Sequence, residues 1–380
     1  MNYIVNDDTI IFNKYYNKSL DLNLISNYKK IIFSNIKIDD YPIDLYEYDS
    51  DIVMQIQYQD MGSEFNKSVN KLHQTLTHLI LGHNFNKSVD KLPKHLNMLI
   101  FGWKFNKSVD NLPEHLIQLT FGNNFNQQVD KLPKYLIQLT FGSDFNKQVD
   151  HLPEYLNVLT FDVDFNQQVY NLPNSLTNLT FCNCFNNSVD NLPRSLTNLT
   201  FGNRFNSSVD NLPGSLTHLT LGLNFNCAVD KLPSSLTHLT FSDGFFGSVD
   251  NLPRSLTHLT LGKKFDKKAD LPSNIKYLKL DCNNQYIIDY LPNGIEELEL
   301  GYYFNLELNN LPTSIKKILF NKNSKYNKEL NCLPNFIELI QLPVNYDKKI
   351  LRIPKKLKKI ICYENYKFIK DFNNYLVEEY

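Results

Sequence analysis

The sequence lacks most of the features that mark catalytic, secreted or membrane-bound proteins. It contains no glycine-rich phosphate loop, no GxSxG motif and no HExxH motif, so it gives no sign of the nucleotide, serine-hydrolase or zinc-protease sites that these motifs build. No apolar run approaches the ~18 residues of a membrane span. Asp7 and Asp8 interrupt the apolar core that a signal peptide would need. We therefore expect an intracellular protein that makes no contact with a membrane.

Cysteine and net charge are equally uninformative about chemistry. The six cysteines follow neither a disulfide framework nor a zinc spacing, and Cys182 and Cys184, the one close pair, would supply only half of a metal site. The 39 basic and 40 acidic residues give a formal net charge of −1, so no overall field attracts nucleic acid. We expect no metal, no cofactor, no nucleic acid and a monomeric chain.

What the sequence does contain is a repeat of 20 residues, which organises residues 65–270. One copy, starting at Phe105, reads FNKSVDNLPEHLIQLTFGNN. A fixed period of ~20 residues lies at the short end of the range for leucine-rich repeats, in which each repeat is one turn of a solenoid. The repeat therefore predicts a solenoid rather than a set of globular domains.

Each repeat predicts one short strand. Leu119 and Phe121 alternate with Gln118 and Thr120, which is the two-residue period of a strand with one buried face. Pro113 and the short connection leave no room for a three-turn helix on the opposite side. The predicted fold is a β-rich, leucine-rich-repeat-like right-handed coil, with a long parallel sheet on one face and extended, turn or 3₁₀ backbone on the other.

An asparagine follows the first aromatic residue of nine successive repeats. Because this asparagine lies beside a phenylalanine that must be buried, we expect its amide to bridge unpaired backbone groups of successive turns. The sequence predicts that this structural ladder breaks at Phe246 and becomes acidic at Asp266. Apart from Asn66, the predicted ladder residues are Asn86, Asn106, Asn126, Asn146, Asn166, Asn186, Asn206 and Asn226.

The repeat pattern FNxSVDxLPxxLxxLTFG resembles the FNIP repeat, a leucine-rich-repeat relative found in social amoebae and in giant DNA viruses that infect amoebae. The resemblance covers residues 65–270 closely and 271–362 loosely. It implies a solenoid used for protein interaction, and, for a viral chain, a host partner and the host cytoplasm. Members are often fused to an F-box, but residues 1–64 do not match the helical, Leu-Pro-rich segment of an F-box.

Outward side chains of neighbouring strands should form columns along the sheet. One column is mainly threonine, and it includes Thr200, Thr220 and Thr240; threonine suits an exposed strand without any further role. The other column changes along the chain through Asn178, Asn198, His218, His238 and His258. Parallel strands project equivalent side chains side by side rather than toward one point, so we expect a polar docking strip that becomes cationic below roughly pH 6.5 and not a metal site.

A second candidate binding surface is apolar. Ile80, Met98 and Ile100 are predicted to face outward near Trp103, the only tryptophan of the chain. Large apolar side chains beside an aromatic residue are typical of interface hot spots. A cap formed by the N-terminal residues could instead cover them, and the sequence does not decide between these alternatives.

The ends of the chain are predicted to close the solenoid. Residues 1–64 contain degenerate copies of the repeat and are predicted to cap the N-terminal end of the solenoid. The alternative is that they form a small separate domain. Residues 271–366 continue as degenerate repeats with charged outward positions, and residues 367–380 have the apolar spacing of a short amphipathic capping helix. The whole is predicted to be one continuous solenoid domain.

The sequence favours a noncatalytic protein-interaction scaffold that binds its partner on the exposed face of the sheet. One alternative is the substrate-recognition subunit of a ubiquitin ligase, which would need a docking element in residues 1–64. A remote alternative is a carbohydrate-active solenoid enzyme, which would need clustered outward carboxylates or aromatic residues.

Overall fold

A computed structural model gives the fold of the chain and describes residues 2–34 and 63–379. The chain divides into two compact units, residues 1–187 with 191–196, and residues 188–190 with 197–380. Both units are parallel β-solenoids in which each turn contributes one short strand. Of the expected N-terminal cap, residues 35–62 lie outside the described part of the chain.

The first unit begins with an antiparallel hairpin of β1 and β2, after which β2 to β9 pair in parallel. Its helix α1 is one turn long and is capped by the Asp21 carboxylate, which accepts from the Asn23 and Leu24 amides. The elements are β1 Tyr3–Asn6, β2 Thr9–Phe12, α1 Leu22–Ile25, β3 Lys30–Phe33, β4 His78–Ile80, β5 Met98–Ile100, β6 Gln118–Thr120, β7 Gln138–Thr140, β8 Val158–Thr160 and β9 Asn178–Thr180.

The second unit is a continuous series of parallel strands, β10 to β19. Its one short α-helix, α2, is capped by the Asn284 side chain. The elements are β10 Asn198–Thr200, β11 His218–Leu221, β12 His238–Phe241, β13 His258–Leu261, β14 Tyr277–Leu280, α2 Gln285–Asp289, β15 Glu297–Leu300, β16 Lys317–Phe320, β17 Leu339–Gln341, β18 Lys359–Cys362, a 3₁₀ helix Ile369–Phe372 and β19 Leu376–Glu379.

The C-terminal residues differ from the sequence prediction. Instead of one amphipathic helix over 367–380, the described residues form a single 3₁₀ turn, Ile369–Phe372, followed by the strand β19. Val377 lies opposite Ile360 of β18, in parallel register. Extension of the existing sheet satisfies backbone groups that a short helix would leave at its ends, and this pairing overrides the local helical spacing.

The core is a set of stacked side-chain layers. Phe105 and Phe125 are fully buried, and their rings lie 6.0 Å apart in successive turns. Within one turn Phe101 and Phe105 stack at 3.7 Å. The turns approach so closely at the glycine after the strand that a Cβ on Gly122 would lie 2.0 Å from the Gly102 carbonyl oxygen. The repeat therefore fixes both the apolar and the smallest positions of each turn.

The asparagine side chains form hydrogen bonds between turns. The backbone N–H of Asn106 donates to the side-chain Oδ1 of Asn86 at 3.0 Å, and the backbone N–H of Asn166 donates to the side-chain Oδ1 of Asn146 at 3.0 Å. The asparagine side chains beside the buried phenylalanines are half-buried at Asn106 and exposed at Asn146. The backbone N–H of Phe246 donates to Asn226 Oδ1 at 3.0 Å, but the Phe246 side chain has no acceptor to offer the following turn.

Corresponding bonds extend along both units. The N–H of one turn donates to the asparagine of the preceding turn in the pairs Asn66–Asn17, Asn86–Asn66, Asn106–Asn86, Asn126–Asn106, Asn146–Asn126, Asn166–Asn146, Asn186–Asn166 and Asn226–Asn206. The first of these pairs joins residues 49 positions apart, so the turn that contains Asn17 is stacked directly on the first regular repeat.

Candidate binding surface

The outward column of the second unit contains three adjacent imidazole rings. His218, His238 and His258, here called the imidazole strip, lie opposite one another in the parallel register of β11, β12 and β13. Their ring centroids are 4.1 and 4.0 Å apart, with interplanar angles of 15° and 13°. The strip is therefore a stack of three rings, which presents its edges and not its faces to a partner.

A threonine before each histidine holds the ring at Nδ1. The Thr237 hydroxyl lies 3.1 Å from the Thr217 carbonyl oxygen and 2.9 Å from His238 Nδ1. In the tautomer that carries its hydrogen on Nδ1, the imidazole donates to the threonine oxygen while the hydroxyl donates to the carbonyl. His238 Nε2 is a hydrogen-bond acceptor in that tautomer.

The same arrangement occurs on both sides of His238. The Thr217 hydroxyl donates to the Thr197 carbonyl and lies 2.9 Å from His218 Nδ1. The Thr257 hydroxyl donates to the Thr237 carbonyl and lies 2.9 Å from His258 Nδ1. In the Nδ1–H tautomer the strip presents three Nε2 acceptors in a row. The sequence analysis did not identify these threonines, although Leu-Thr-His occurs at 216–218, 236–238 and 256–258, and also at 76–78.

The charge of the strip differs from the sequence prediction. Burial, and then the neighbouring His258 and His218, lower the pKa of His238 to about 4. Burial, and then His218, lower the pKa of His258 below its usual value. His238 and His258 therefore protonate at a lower pH than the roughly pH 6.5 expected from the sequence. A positive charge ~4 Å from a second one is unfavourable, so His238 stays largely neutral in mildly acidic solution.

The neighbouring predicted residues of the second unit lie beside the strip. Thr200, Thr220 and Thr240 are half-buried and form the parallel column two residues further along each strand. Asn198 is half-buried, and its Oδ1 accepts from the Thr197 hydroxyl at 2.8 Å. Asn178 is half-buried in the first unit, where its Oδ1 accepts from Thr177 at 2.7 Å.

Beyond the strip the outward side chains form ion pairs. Lys279 Nζ lies 2.6 Å from Glu299 Oε1, and Lys317 Nζ lies 2.8 Å from Glu297 Oε2. The Tyr277 hydroxyl also donates to Glu299. Carboxylates held in this way are poor candidates for a general acid and base pair. Within residues 2–34 and 63–379 no group of three or more His, Cys, Asp or Glu side chains could hold a metal ion.

The apolar candidate in the first unit is only partly available to a partner. Ile100 is 1% exposed and packs in a cluster with Ile11, Ile32 and Ile80. Met98, which is half-buried, packs against this cluster. Of the two alternatives left open by the sequence, cover by the N-terminal residues applies to Ile100, because side chains of the N-terminal strands fill the space beside it.

Trp103, the remaining member of the apolar candidate, is half-buried and stacks on His83 at 5.7 Å.

No helix in the described part of the chain has the length and hydropathy to cross a bilayer.

Comparison with known proteins identifies the repeat. The FNIP repeat model matches residues 148–184, 185–222, 208–244, 247–283, 267–303 and 282–323. The chain is 31% identical to CroV588, a circular leucine-rich-repeat protein of the giant virus CroV, with a TM-score of 0.59 over 95% of this chain and 67% of that chain. No curated protein matches the chain significantly.

Two bacterial leucine-rich-repeat structures are more distant. YopM from Yersinia enterocolitica is 18% identical, with a TM-score of 0.38 over 77% of this chain and 75% of that chain. InlJ from Listeria monocytogenes is 13% identical, with a TM-score of 0.37 over 93% of this chain and 68% of that chain. The repeat matches and the likeness to CroV588 agree with the solenoid turns and the asparagine hydrogen bonds described above, and on this basis the chain belongs to the FNIP-repeat family of leucine-rich-repeat-like proteins.

Proposed function

We propose that the protein is a noncatalytic scaffold that binds another protein on the outward face of the second unit. The observation that carries the proposal is the stack of three imidazole rings, each held at Nδ1 by a threonine hydroxyl. With hydrogen on Nδ1, the strip offers a partner three Nε2 acceptors in a row. Rigid, pre-oriented acceptors lose little conformational entropy on binding. Leucine-rich-repeat folds are commonly used for protein–protein interaction, which supports the same conclusion by analogy of fold.

The expected partner presents hydrogen-bond donors to the strip. Neutral imidazole accepts one hydrogen bond at Nε2, so an arginine, lysine or amide side chain would complement each ring. Electrostatic attraction to the strip itself should be weak, because the lowered pKa values keep two of its three rings neutral. Binding through the strip should therefore depend little on salt concentration.

Affinity capture with matched variants tests the proposal. The full chain and a His218→Asn, His238→Asn, His258→Asn triple variant are each used to capture proteins from amoebal lysate. Asparagine occupies the equivalent outward positions 178 and 198 in neighbouring turns, so the variant should fold. We expect a protein retained by the native chain and lost with the variant. Identical recoveries with the two chains would remove the strip as the binding surface.

A control variant separates loss of the strip from a general loss of surface polarity. Lys231 is an exposed residue of the same unit, paired with Asp210 at 2.9 Å. Lys231→Gln should leave the captured protein in place, since it changes a polar side chain away from the imidazole rings.

A further inference from the structure

Four successive turns of the first unit depart together from the polar pattern of the repeat. In six of the ten repeats that start at residues 65 to 245, the eleventh and thirteenth residues, counted from the first Phe, are serine or threonine. These hydroxyls donate to carbonyl groups of the preceding turn, as Ser175 does to Leu156 at 2.6 Å and Thr77 to Lys29 at 3.1 Å. In the four turns the same positions carry aromatic rings, isoleucine or asparagine. Their segments are 94–98 KHLNM, 114–118 EHLIQ, 134–138 KYLIQ and 154–158 EYLNV.

The replacements create an exposed apolar surface. The side chains of Tyr135, Tyr155, Ile117 and Ile137 are 46%, 52%, 44% and 45% exposed. The turns on either side, 74–78 QTLTH and 174–178 NSLTN, return to hydroxyl residues at both positions. Contiguous apolar side chains at positions that elsewhere hold a structural hydroxyl indicate a contact surface rather than a requirement of the fold. The outward residues of the four turns are called the apolar block below.

The rings of the apolar block follow one another along the unit. His95 and His115 are 6.3 Å apart, and Tyr135 and Tyr155 are 5.9 Å apart. This separation exceeds the ~4.8 Å between neighbouring strands, so the side chains splay outward. A splayed row leaves the ring edges and the two isoleucines accessible to a second molecule.

The block has the pattern of a surface that matches a reversed copy of itself. If the order of the four turns is reversed, turn 94–98 faces 154–158, and turn 114–118 faces 134–138. Lysine then faces glutamate and histidine faces tyrosine in both pairs of turns. Asparagine faces asparagine and methionine faces valine in the outer pair, while isoleucine faces isoleucine and glutamine faces glutamine in the inner pair.

A two-fold axis produces this reversal if it lies in the interface, parallel to the strands, between the second and third turns of the block. It reverses the order of the turns and leaves each repeat position opposite the same position of the partner. In a two-fold interface each surface meets the same surface of the partner, so like charges must not face themselves. Alternation of Lys94, Glu114, Lys134 and Glu154 meets this requirement over all four turns. We infer that a second copy of this chain docks on the apolar block in antiparallel orientation and forms a homodimer. The inference stands independently of the proposed role of the imidazole strip.

The expected dimer is weak. Four turns at ~4.8 Å per strand span roughly 14 Å of the sheet. Stable complexes bury ~800 Å² on each partner, which exceeds the area that a block of this length offers. Opposite charges at the edge of an interface contribute mainly orientation and association rate. We expect a dissociation constant between about 10 μM and 1 mM, and a dimer in place of the monomer expected from the sequence.

Sedimentation equilibrium of the full chain, at concentrations up to about 1 mM, measures the association. The native chain should show a reversible monomer–dimer equilibrium. Lys134→Glu should weaken the dimer at least about tenfold, because it turns two symmetry-related contacts with Glu114 from attractive to repulsive. Glu114→Lys should have the same effect. The double variant, which exchanges the two charges, should restore association to within about threefold.

Two further variants separate the surface from the fold. His115→Ser, Ile117→Thr, Tyr135→Ser and Ile137→Thr together return two turns to the residues of neighbouring repeats, so this chain should remain folded by circular dichroism and become monomeric. Lys131→Glu makes the same charge change at an exposed position of the same turn outside the block, and it should leave the dimer intact. A native chain that is monomeric at every concentration would overturn the inference. A dimer that tolerates the four-residue variant, or that the charge exchange fails to restore, would also overturn it.

Discussion

Removal of one asparagine from the hydrogen-bond series between turns should measurably destabilise the first unit. Asn146 Oδ1 accepts from Asn166 N at 3.0 Å and from Gln167 Nε2 at 2.9 Å. Asn146→Ala would leave both donors without this acceptor. A hydrogen bond contributes about 0.5–1.5 kcal/mol net, and water can replace part of it at this exposed position. We expect a loss of about 1–2 kcal/mol.

The loss should appear as a lower melting temperature. For a unit of about 190 residues, 1 kcal/mol corresponds to roughly 2–4 °C, so differential scanning calorimetry should show a decrease of about 2–8 °C for the first unit. Asn146→Asp is the matched control, because a carboxylate of the same shape keeps an acceptor in place. Asn86→Ala should lower the free energy of unfolding by less than Asn146→Ala does, because the structure gives Asn86 Oδ1 one such bond, from the backbone N–H of Asn106 at 3.0 Å.

The reasoning fails if Asn146→Ala melts within about 1 °C of the native chain, or if the alanine and aspartate variants are equally destabilised. The first result would mean that water replaces the acceptor without loss. The second would mean that the volume of the side chain matters and its hydrogen bonds do not.

Two other predictions concern the imidazole strip and the close approach of turns. The pKa of His238 is lowered from its usual 6.5 to about 4 in the folded chain. Between these pH values the unfolded chain binds a proton at this ring and the folded chain does not. The free energy of unfolding therefore decreases as the pH falls from 6.5 toward about 4. Denaturant unfolding between these pH values should therefore show a decline that His238→Asn reduces, and equal slopes for the two chains would contradict it. Gly122→Ala would place a Cβ 2.0 Å from the Gly102 carbonyl oxygen, and overpacking of this kind costs about 1–3 kcal/mol. Gly214, whose Cβ would meet nothing within 4 Å, is the control, and equal stability of Gly122→Ala and Gly214→Ala would refute the packing argument.

The repeat allowed the strands to be predicted because each position has one structural task. Leu119 and Phe121 recur at the same phase in many turns, and parallel pairing then fixes the register, as Leu119 opposite Leu139 shows. The asparagine bonds were also accessible, since a polar side chain at a constant phase needs a constant partner. The burial of individual side chains was harder to predict, because Asn146 is exposed although the adjacent Phe145 is buried.

Features that depend on distant or cooperative contacts could not be predicted. Ile100 is buried because its cluster includes Ile11 from β2, a partner that no local pattern identifies. The strand β19 forms because β18 offers a pairing edge, although residues 367–380 have helical spacing by themselves. The lowered pKa of His238 depends on burial and on the two imidazole rings stacked beside it, and neither can be known before the turns are stacked.

Nitrogen-15 NMR of the imidazole rings, with and without the protein retained in the capture experiment, tests the proposed function most directly. At neutral pH the free chain should show Nδ1 protonated and Nε2 unprotonated for His238 and His258, in agreement with the threonine contacts. Addition of the partner should shift the Nε2 resonances of the strip as they accept hydrogen bonds. Binding of the partner with no change at any of the three Nε2 atoms would contradict the assignment of the imidazole strip as the binding surface.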